Sequence, residues 1–168
     1  MDQPAGAASI RLAERRDAAG IREIYNHYVT ESTALFDMVA RTLDEQIQWI
    51  DDHSGGHPAV VAEVDGEIVG FGSLSVFRSR PAYATTVEDS VYLLERHQGM
   101  GIGTQLLAEL LRLAEAHGFH AVIARITGEN EASIRLHAAC GFELVGTERE
   151  VGRKFGRWLD VVEMQRML

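Results

Sequence analysis

The chain has 168 residues, which suits one folded domain over residues 1–168, and its 46 % hydrophobic and 24 % charged residues are typical of a globular protein. Its formal net charge of −9 at pH 7 repels phosphate backbones and anionic lipid headgroups, which argues against nucleic acids and membrane surfaces as partners. The single cysteine, Cys140, excludes an intramolecular disulfide, and the lack of a signal-peptide pattern or a long apolar run leads us to expect a cytoplasmic protein.

Hydrophobic periodicity and turn residues predict seven strands and four helices after a flexible stretch at residues 1–8. In chain order these are a strand at Ser9 to Ala13, a helix capped by Asp17, a helix at Asp44 to His53, strands at Pro58 to Val64, Glu67 to Val76 and Thr85 to Leu94, a helix between the loop 96–103 and Gly118, a strand at His120 to Ile126, a helix at Asn130 to Ala139, and strands at Phe142 to Thr147 and Trp158 to Met167. Asp65-Gly66 is a two-residue hairpin signal between the second and third strands. This order predicts an α+β fold, with a central mixed, mostly antiparallel sheet and helices on both faces.

A glycine-rich loop lies between a predicted strand and the start of a predicted helix. Gly99, Gly101 and Gly103 alternate within Arg96 to Thr104, which lets the backbone approach a ligand closely and direct N–H groups toward it. The N-terminus of the following helix adds free N–H groups and a positive dipole end. This arrangement is how an acidic protein can hold a polyphosphate.

Three phosphate-binding motifs compete for this loop. A Walker P-loop needs Gly-Lys-Ser/Thr and has no lysine here, and a dinucleotide fingerprint needs glycine or alanine at Thr104 and an acidic residue closer than Glu129. The remaining pattern, Arg/Gln-x-x-Gly-x-Gly, fits in two registers, which start at Arg96 or at Gln98. We prefer the register that starts at Gln98, because its last glycine lies against the helix start. A purely structural glycine turn is the alternative, and the strand-loop-helix context disfavours it.

The loop resembles the acyl-CoA signature of the GNAT acyltransferase superfamily, and the predicted order of elements is also that of the superfamily. Three further segments resemble the phosphinothricin and methionine sulfoximine acetyltransferase branch: Thr86 to Leu93, Asn130 to His137 with Gly141-Phe142, and Val151 to Asp160. The resemblance covers nearly the whole chain from about Ile10. It implies an acetyl-CoA-dependent N-acetyltransferase that modifies the primary amine of a small amino-acid-like acceptor by direct attack on the thioester, and it implies a homodimer.

Two residues are predicted to carry the acid–base chemistry. An acceptor ammonium has a pKa near that of lysine, about 10, so a base must remove its proton before attack. Glu88 lies just before the loop, on the strand face that also carries Ser90 and Tyr92, and the resemblance supports a role as general base. A solvated strand carboxylate is the alternative. The resemblance also places His137 where it would protonate the leaving thiolate or orient the acceptor, although a lone histidine is as often a surface or core residue.

The resemblance also implies the contacts to the two substrates. Cofactor-binding residues are expected at Val91, Tyr92 and Leu93 for the pantetheine arm, at Gly99, Met100, Gly101, Ile102, Gly103 and Thr104 for the pyrophosphate, and at Asn130 near the thiol. Acceptor-binding residues are expected at Arg78, Ser79, Arg80, Glu88, Asp89 and Ser90. Asn130 is also a natural helix N-cap, and the two arginines are either a carboxylate clamp or solvated loop charges.

This sequence differs from the branch at two positions, and these differences put the identity of the acceptor in question rather than the acetyl transfer itself. The branch often has arginine where this chain has Ala84, and histidine where it has Asp89. Other amines, such as a polyamine or a protein N-terminus, are therefore alternatives, and so are a non-catalytic acyl-CoA-binding module and, less well supported, a nucleotide-dependent oxidoreductase. We expect no metal, because His117 and His120 have no carboxylate or cysteine spaced to complete a ligand set.

Overall fold

The computed structural model describes residues 7–168. Its strands are β1 (Ser9–Leu12), β2 (Ala59–Val64), β3 (Glu67–Val76), β4 (Thr86–Leu93), β5 (Ala121–Thr127), β6 (Glu143–Lys154) and β7 (Arg157–Met167), and its helices are α1 (Ala18–Glu31), α2 (Leu43–Asp52), α3 (Ile102–Ala116) and α4 (Glu131–Ala139). The predicted order of elements is confirmed. The predicted flexible stretch at residues 1–8 lies mostly outside the described residues, and Ala8 packs against the core.

The seven strands form one sheet in the order β1-β2-β3-β4-β5-β7-β6. Every neighbouring pair is antiparallel except β4 and β5, which run parallel, so the expected mixed, mostly antiparallel sheet is confirmed. The turn between β2 and β3 has Asp65 and Gly66 at φ of 49° and 83°, the left-handed conformation that a tight two-residue hairpin requires.

Helices cover both faces of the sheet. Helices α1 and α2 bury an apolar cluster around Ile21, Ile24 and Phe71 on one face, and α3 buries a larger cluster around Leu106 and Leu110 on the other. Each of these fully buried apolar side chains contributes about 1.5–3 kcal/mol through removal from water. No described helix is both long and apolar enough to cross a membrane.

Two predictions about local structure were wrong. Strand β6 extends to Lys154 rather than ending at Thr147, because its added part is a charged edge strand that carries no apolar periodicity. Asp17 occupies the N-cap position of α1, but its side chain does not cap the helix: it accepts hydrogen bonds from the Arg11 guanidinium at 2.8 Å and from the backbone N–H of Glu14.

Candidate active site

The parallel strands β4 and β5 separate after a short paired segment. They pair only over three residues of each strand, from Thr86 with Ala121 to Glu88 with Ile123. Beyond Glu88, strand β4 stays paired with β3 as far as Leu93, whereas its edge toward β5 has no strand partner. This edge can therefore accept main-chain hydrogen bonds from an extended molecule, as an added strand would.

A small cavity of about 70 Å³ lies in the gap between the two strands. Its lining comes from residues 89–92 of β4, residues 124–127 of β5, Tyr28 of α1, Ala34, and three residues on or just before α4, namely Asn130, Ser133 and His137. We call it the central cavity. Both predicted residues Asp89 and His137 line it.

Asp89 and His137 form a buried pair on the α3 and α4 side of the sheet. His137 Nδ1 lies 2.8 Å from the carbonyl oxygen of Ser133, and His137 Nε2 lies 2.9 Å from Asp89 Oδ2. Because a carbonyl oxygen only accepts, Nδ1 carries a proton, and a second proton must lie between Nε2 and the carboxylate. Burial disfavours the imidazolium, but the hydrogen bond and charge of Asp89 outweigh it and raise the pKa of His137.

His137 was predicted to donate a proton to the thiolate, but neither of its ring nitrogens is free to contact a substrate directly. The side chain is only 3 % exposed, and both ring nitrogens already bond within the protein. By contrast, Asp89 Oδ1 is buried with no hydrogen-bond partner among residues 7–168. Within this pair, Asp89 Oδ1 is therefore the polar side-chain atom that has no hydrogen-bond partner in the described residues.

The contact between Asp89 and His137 should make the free energy of unfolding depend on pH. His137→Gln should lower the free energy of unfolding by about 3 kcal/mol near pH 6, because it leaves a buried carboxylate without its partner. Since the pKa of folded His137 is raised, the pair stabilises fully below the unfolded pKa of about 6.5 and loses this contribution as pH rises through the folded value. Urea unfolding should therefore show a deficit that is largest below about pH 6.5 and shrinks as the pH rises above it.

His117→Gln is the matched control, because His117 also bonds the carbonyl four residues before it but is exposed. Its stability should differ little from that of the parent protein at any pH. A His137→Gln deficit that does not depend on pH anywhere above about pH 6.5 would contradict a charged pair.

A groove of about 400 Å³ opens from the same gap on the side of the glycine-rich loop. Gly101 is the N-cap of α3, with φ of 81°, and Gly99 has φ of 75°. A Cβ at either position would meet no atom within 4 Å, so the loop leaves open space in front of its backbone. The groove thus combines an exposed backbone loop with a helix N-terminus, the usual elements of a phosphate site.

The groove contains most of the predicted cofactor-binding residues. The predicted residues that line it are Val91, Leu93, Gly99, Gly101, Gly103, Thr104 and Asn130. Gln98 also lines it, whereas Arg96 pairs with Glu67, which agrees with the register that starts at Gln98. Asn130 also caps α4, since its side-chain oxygen accepts from the N–H of Ser133 at 3.2 Å.

Three predicted cofactor residues lie elsewhere. The Met100 side chain is 65 % exposed, and Ile102 is buried in the core under α3. Tyr92 points to the opposite face of β4, where it lines the third cavity. If these residues contact the cofactor, they do so through their backbone.

The third cavity, of about 460 Å³, lies on the α1 and α2 side of the sheet, and we call it the acceptor pocket. Glu88, Ser90 and Tyr92 line it from β4, as the predicted alternation requires, and Arg125 lines it from β5. Burial raises the pKa of Glu88 and the positive charge of Arg125 opposes this shift. A carboxyl group with a raised pKa inside a cavity is suited to accept a proton.

Several predicted acceptor-binding residues are not brought to this pocket. Arg78, Ser79 and Arg80 are exposed in the loop after β3, where the Arg78 guanidinium lies 4.9 Å from the ring centre of Phe77. None of the three residues lines the acceptor pocket. Ala84 is also exposed and outside it, and Asp89 faces the central cavity instead.

Sequence reasoning missed other residues of the acceptor pocket. Arg125 could have been found, because it interrupts an apolar strand at a position facing the same side as Glu88. The segment Ala34 to Asp37 could not, because it has no regular structure and reaches the pocket through long-range packing.

The three cavities form a continuous series through the sheet. The central cavity shares Tyr28 and Asn130 with the groove, and it shares Ser90 and Arg125 with the acceptor pocket. The groove, the central cavity and the acceptor pocket therefore lie next to one another around the gap between β4 and β5. Among residues 7–168, no three His, Cys, Asp or Glu side chains converge as metal ligands would.

Comparisons with known proteins agree with this arrangement. The model of the acetyltransferase (GNAT) family matches residues 21–142. The chain is 40 % identical to the L-methionine sulfoximine/L-methionine sulfone acetyltransferase of Salmonella typhimurium, over 95 % of this chain and 94 % of the relative. It is 41 % identical to the phosphinothricin N-acetyltransferase of Streptomyces coelicolor, over 95 % of each chain. Salmonella typhimurium yncA, solved with its cofactor acetyl-CoA, has 39 % identity and a TM-score of 0.93, over 96 % of this chain and 94 % of that one.

Proposed function

Because the chain belongs to the GNAT acetyltransferase family, we propose that it transfers the acetyl group of acetyl-CoA to the primary amine of a small amino-acid-like acceptor. Acceptors of the phosphinothricin, methionine sulfoximine and methionine sulfone type are the first candidates. The observation that carries this proposal is the passage from the groove through the gap between β4 and β5 to a partly buried carboxyl group. One domain, formed by residues 1–168, would hold both substrates.

The groove residues fit acetyl-CoA. The free edge of β4 at residues 91–93 would pair with the pantetheine arm, and the backbone of residues 99–104 would bind the pyrophosphate. Asn130 lines both the groove and the central cavity, so it would lie near the thioester. When bound, acetyl-CoA supplies an activated acyl group, and the protein supplies the position and the proton transfer.

Glu88 is the proposed base. It lines the acceptor pocket at the last residue pair before β4 and β5 separate, so an amine there would lie between this carboxylate and the gap. The carboxylate takes one proton from the acceptor ammonium, directly or through a water molecule, and the neutral nitrogen can then attack the thioester.

We assign the Asp89–His137 pair a role at the opposite end of the gap. Asp89 lines the central cavity, its Oδ1 has no hydrogen-bond partner among residues 7–168, and His137 holds its other oxygen, Oδ2. His137 would thus act on the reaction through Asp89, either by holding it in place or by supplying the proton that the departing thiolate requires.

Arg125 is the proposed partner of the acceptor's carboxylate, because it is the arginine that lines the acceptor pocket. It also pairs with Glu148 and lies 4.0 Å from Glu163. Arg125→Ala should raise the acceptor KM by roughly tenfold or more, since a charge-assisted contact is lost, and methyl-ester acceptors should be little affected. Steady-state kinetics with matched acids and esters measures this difference.

Arg78→Ala and Arg80→Ala are the matched comparisons, since both arginines were predicted from the sequence and both lie outside the pocket. If one of these variants, rather than Arg125→Ala, discriminates between acid and ester, the clamp belongs to the loop after β3.

Thiol release from acetyl-CoA across amino acids, sulfones, sulfoximines and polyamines tests the function itself. A polyamine is the second candidate, because Asp37 and Glu88 both line the acceptor pocket and can attract a second cationic amine. Release with amino-acid-like amines supports the first proposal, and release with polyamines alone supports the second. Acetyl-CoA binding without release on any amine would contradict both.

We also propose that the enzyme is a homodimer. The edge strand β6 has no outer strand neighbour, and it exposes the large apolar side chains of Leu144, Val145 and Val151, each between 52 % and 66 % exposed. An exposed edge strand with apolar side chains suits association with a second copy. Light scattering during size-exclusion chromatography measures the mass directly, and a monomer at micromolar concentration would contradict this proposal.

A further inference from the structure

We infer that Gly152 and Lys154, on the edge strand β6, are positioning residues that fix the wall of the acceptor pocket formed by residues 34–37. We call this segment the pocket wall. The inference rests on the proposed function, because it concerns the same pocket. It gives a physical role to the Val151 to Asp160 segment, which was singled out in the sequence and which the catalytic residues do not account for.

Lys154 is the only lysine in the sequence, and it is only 3 % exposed. Its Nζ donates hydrogen bonds to the carbonyl oxygens of Leu35 at 2.6 Å and of Tyr28 at 3.2 Å. No carboxylate among residues 7–168 lies within 4.0 Å of this ammonium. Burial disfavours this ammonium, and this cost is offset by the two carbonyl dipoles and by the more distant negative charge of Asp37, so Lys154 and the pocket wall constrain each other.

The choice of lysine is physically specific. An ammonium is compact and can direct its three protons toward separate carbonyl groups, whereas the planar guanidinium of arginine matches carboxylates. One carbonyl belongs to the last turns of α1, where the helix dipole is negative, and the other belongs to the pocket wall. The ammonium therefore ties the end of α1 to the pocket wall through β6.

Gly152 leaves room for the next residue of the pocket wall. A Cβ on Gly152 would overlap the ring of Phe36, whose Cζ and Cδ2 lie 2.6 and 3.1 Å from the ideal Cβ position. Two alternate residues of β6 thus contact two successive residues of the pocket wall. The next residue, Asp37, is held separately by the Tyr25 hydroxyl, which donates to its carboxylate.

The consequence is that the width of the acceptor pocket depends on this edge of the sheet. Leu35, Phe36 and Asp37 face Glu88 and Arg125 across the pocket, so a displaced wall changes the space for the acceptor. The groove for acetyl-CoA contains none of these three wall residues. A disturbance at Gly152 should therefore affect one substrate and leave the other unaffected.

Gly152→Ala tests this inference by kinetics. The added methyl group must displace the Phe36 ring. If the displacement weakens acceptor binding by an amount typical of overpacking, the acceptor KM rises by roughly tenfold, while the KM for acetyl-CoA stays unchanged. Gly146→Ala is the matched control, because it lies on the same strand and its Cβ would meet no atom within 4 Å. Equal kinetics for the two variants, or equal rises in both KM values, would overturn the inference.

A double variant keeps the test valid if Gly152→Ala folds poorly. In the Phe36→Ala background the overlap is absent, so adding Gly152→Ala should change neither the melting temperature nor the acceptor KM further. If Gly152→Ala is equally harmful with and without the Phe36 ring, Gly152 does not act through the pocket wall.

Chemical labelling of Lys154 gives a readout that needs no acetyl transfer. Because the chain has one lysine, an amine-reactive reagent followed by peptide mass spectrometry reports on Lys154 alone among its side chains. Labelling should be slow in the parent protein and in Gly146→Ala, and at least roughly tenfold faster in Gly152→Ala as the wall opens. Rapid labelling of the parent protein would overturn the inference. If no amine proves to be an acceptor, the proposed function fails, but the labelling result still tests the inference about Gly152 and Lys154.

Discussion

Glu88→Gln is expected to lower kcat by about 10²–10⁴-fold at neutral pH, with acetyl-CoA affinity nearly unchanged. Glutamine keeps the size of the side chain but cannot accept the proton of the acceptor ammonium, whose pKa is about 10. The acetyl-CoA groove does not include Glu88, so binding of that substrate should not depend on it. Stopped-flow or steady-state thiol release at saturating substrates measures the loss, and calorimetry measures the affinity.

The pH profile of the parent enzyme should reveal the same carboxyl group. Burial raises the pKa of Glu88, so kcat/KM should fall below a pKa above the ordinary value for glutamate, and this limb should be absent in Glu88→Gln. The deficit of the variant should shrink as pH approaches about 10, because neutral amine then accumulates without a base.

Glu163→Gln is a matched control for Glu88→Gln. The Glu163→Gln substitution removes one negative charge near Arg125, as Glu88→Gln does. The negative charge of Glu163 contributes to the raised pKa of Glu88, but Glu163 does not line the acceptor pocket. Its kcat should stay close to that of the parent enzyme. If Glu88→Gln retains the parent kcat from about pH 6 to pH 9, another group or an ordered water takes the proton.

Gly101→Val is expected to weaken acetyl-CoA binding by roughly 10²–10⁴-fold while the fold survives, since two charge-assisted hydrogen bonds of about 1.5–3 kcal/mol each would be blocked. Gly101 is the N-cap of α3 and faces open space in the groove, so a side chain there occupies the position that the pyrophosphate would take. The positive φ of 81° adds backbone strain for valine. Titration calorimetry with acetyl-CoA measures the affinity.

Gly118→Val separates these two effects. Gly118 follows the other end of α3, has a φ of 79° and also has nothing within 4 Å of an added Cβ, but it lies outside the groove. It should show the same loss of stability from backbone strain and unchanged affinity for acetyl-CoA. Unchanged acetyl-CoA affinity in a folded Gly101→Val variant would remove the loop from the binding site.

The sequence predicted features whose causes are local. The Asp65-Gly66 turn, the amphipathic helices and the alternation that places Glu88 and Asp89 on opposite faces of β4 all follow from neighbouring residues. The glycine loop was recognisable because its backbone conformation depends on glycine itself.

Features that depend on tertiary packing could not be read in this way. His137 pairs with a residue 48 positions away, and Lys154 bonds carbonyls more than 100 positions away, so no spacing rule connects them. The arginines at 78 and 80 appeared suited to a carboxylate, but the loop that carries them lies outside the acceptor pocket, and the position of a loop relative to a pocket depends on tertiary packing. Arg125 differs from these residues, because alternation along β5 indicates the face that its side chain occupies, although the pairing of β5 with β4 is a tertiary feature.

The short pairing between β4 and β5 also determines when the active site can form during folding. The four strands on one side of the gap come from residues 9–93 and the three on the other side from residues 121–167, so each part of the sheet is assembled from one continuous stretch of chain. Within the sheet these two stretches meet at only three residue pairs, with α3 as the crossover between them. The pairs β2–β3, β3–β4 and β6–β7 join strands that are consecutive in the chain as hairpins, whereas β4 joins β5 through a parallel crossover that includes α3. The thioester site lies on this seam, so neither half of the chain contains a site of its own, and competence for the reaction arises only when the two halves join.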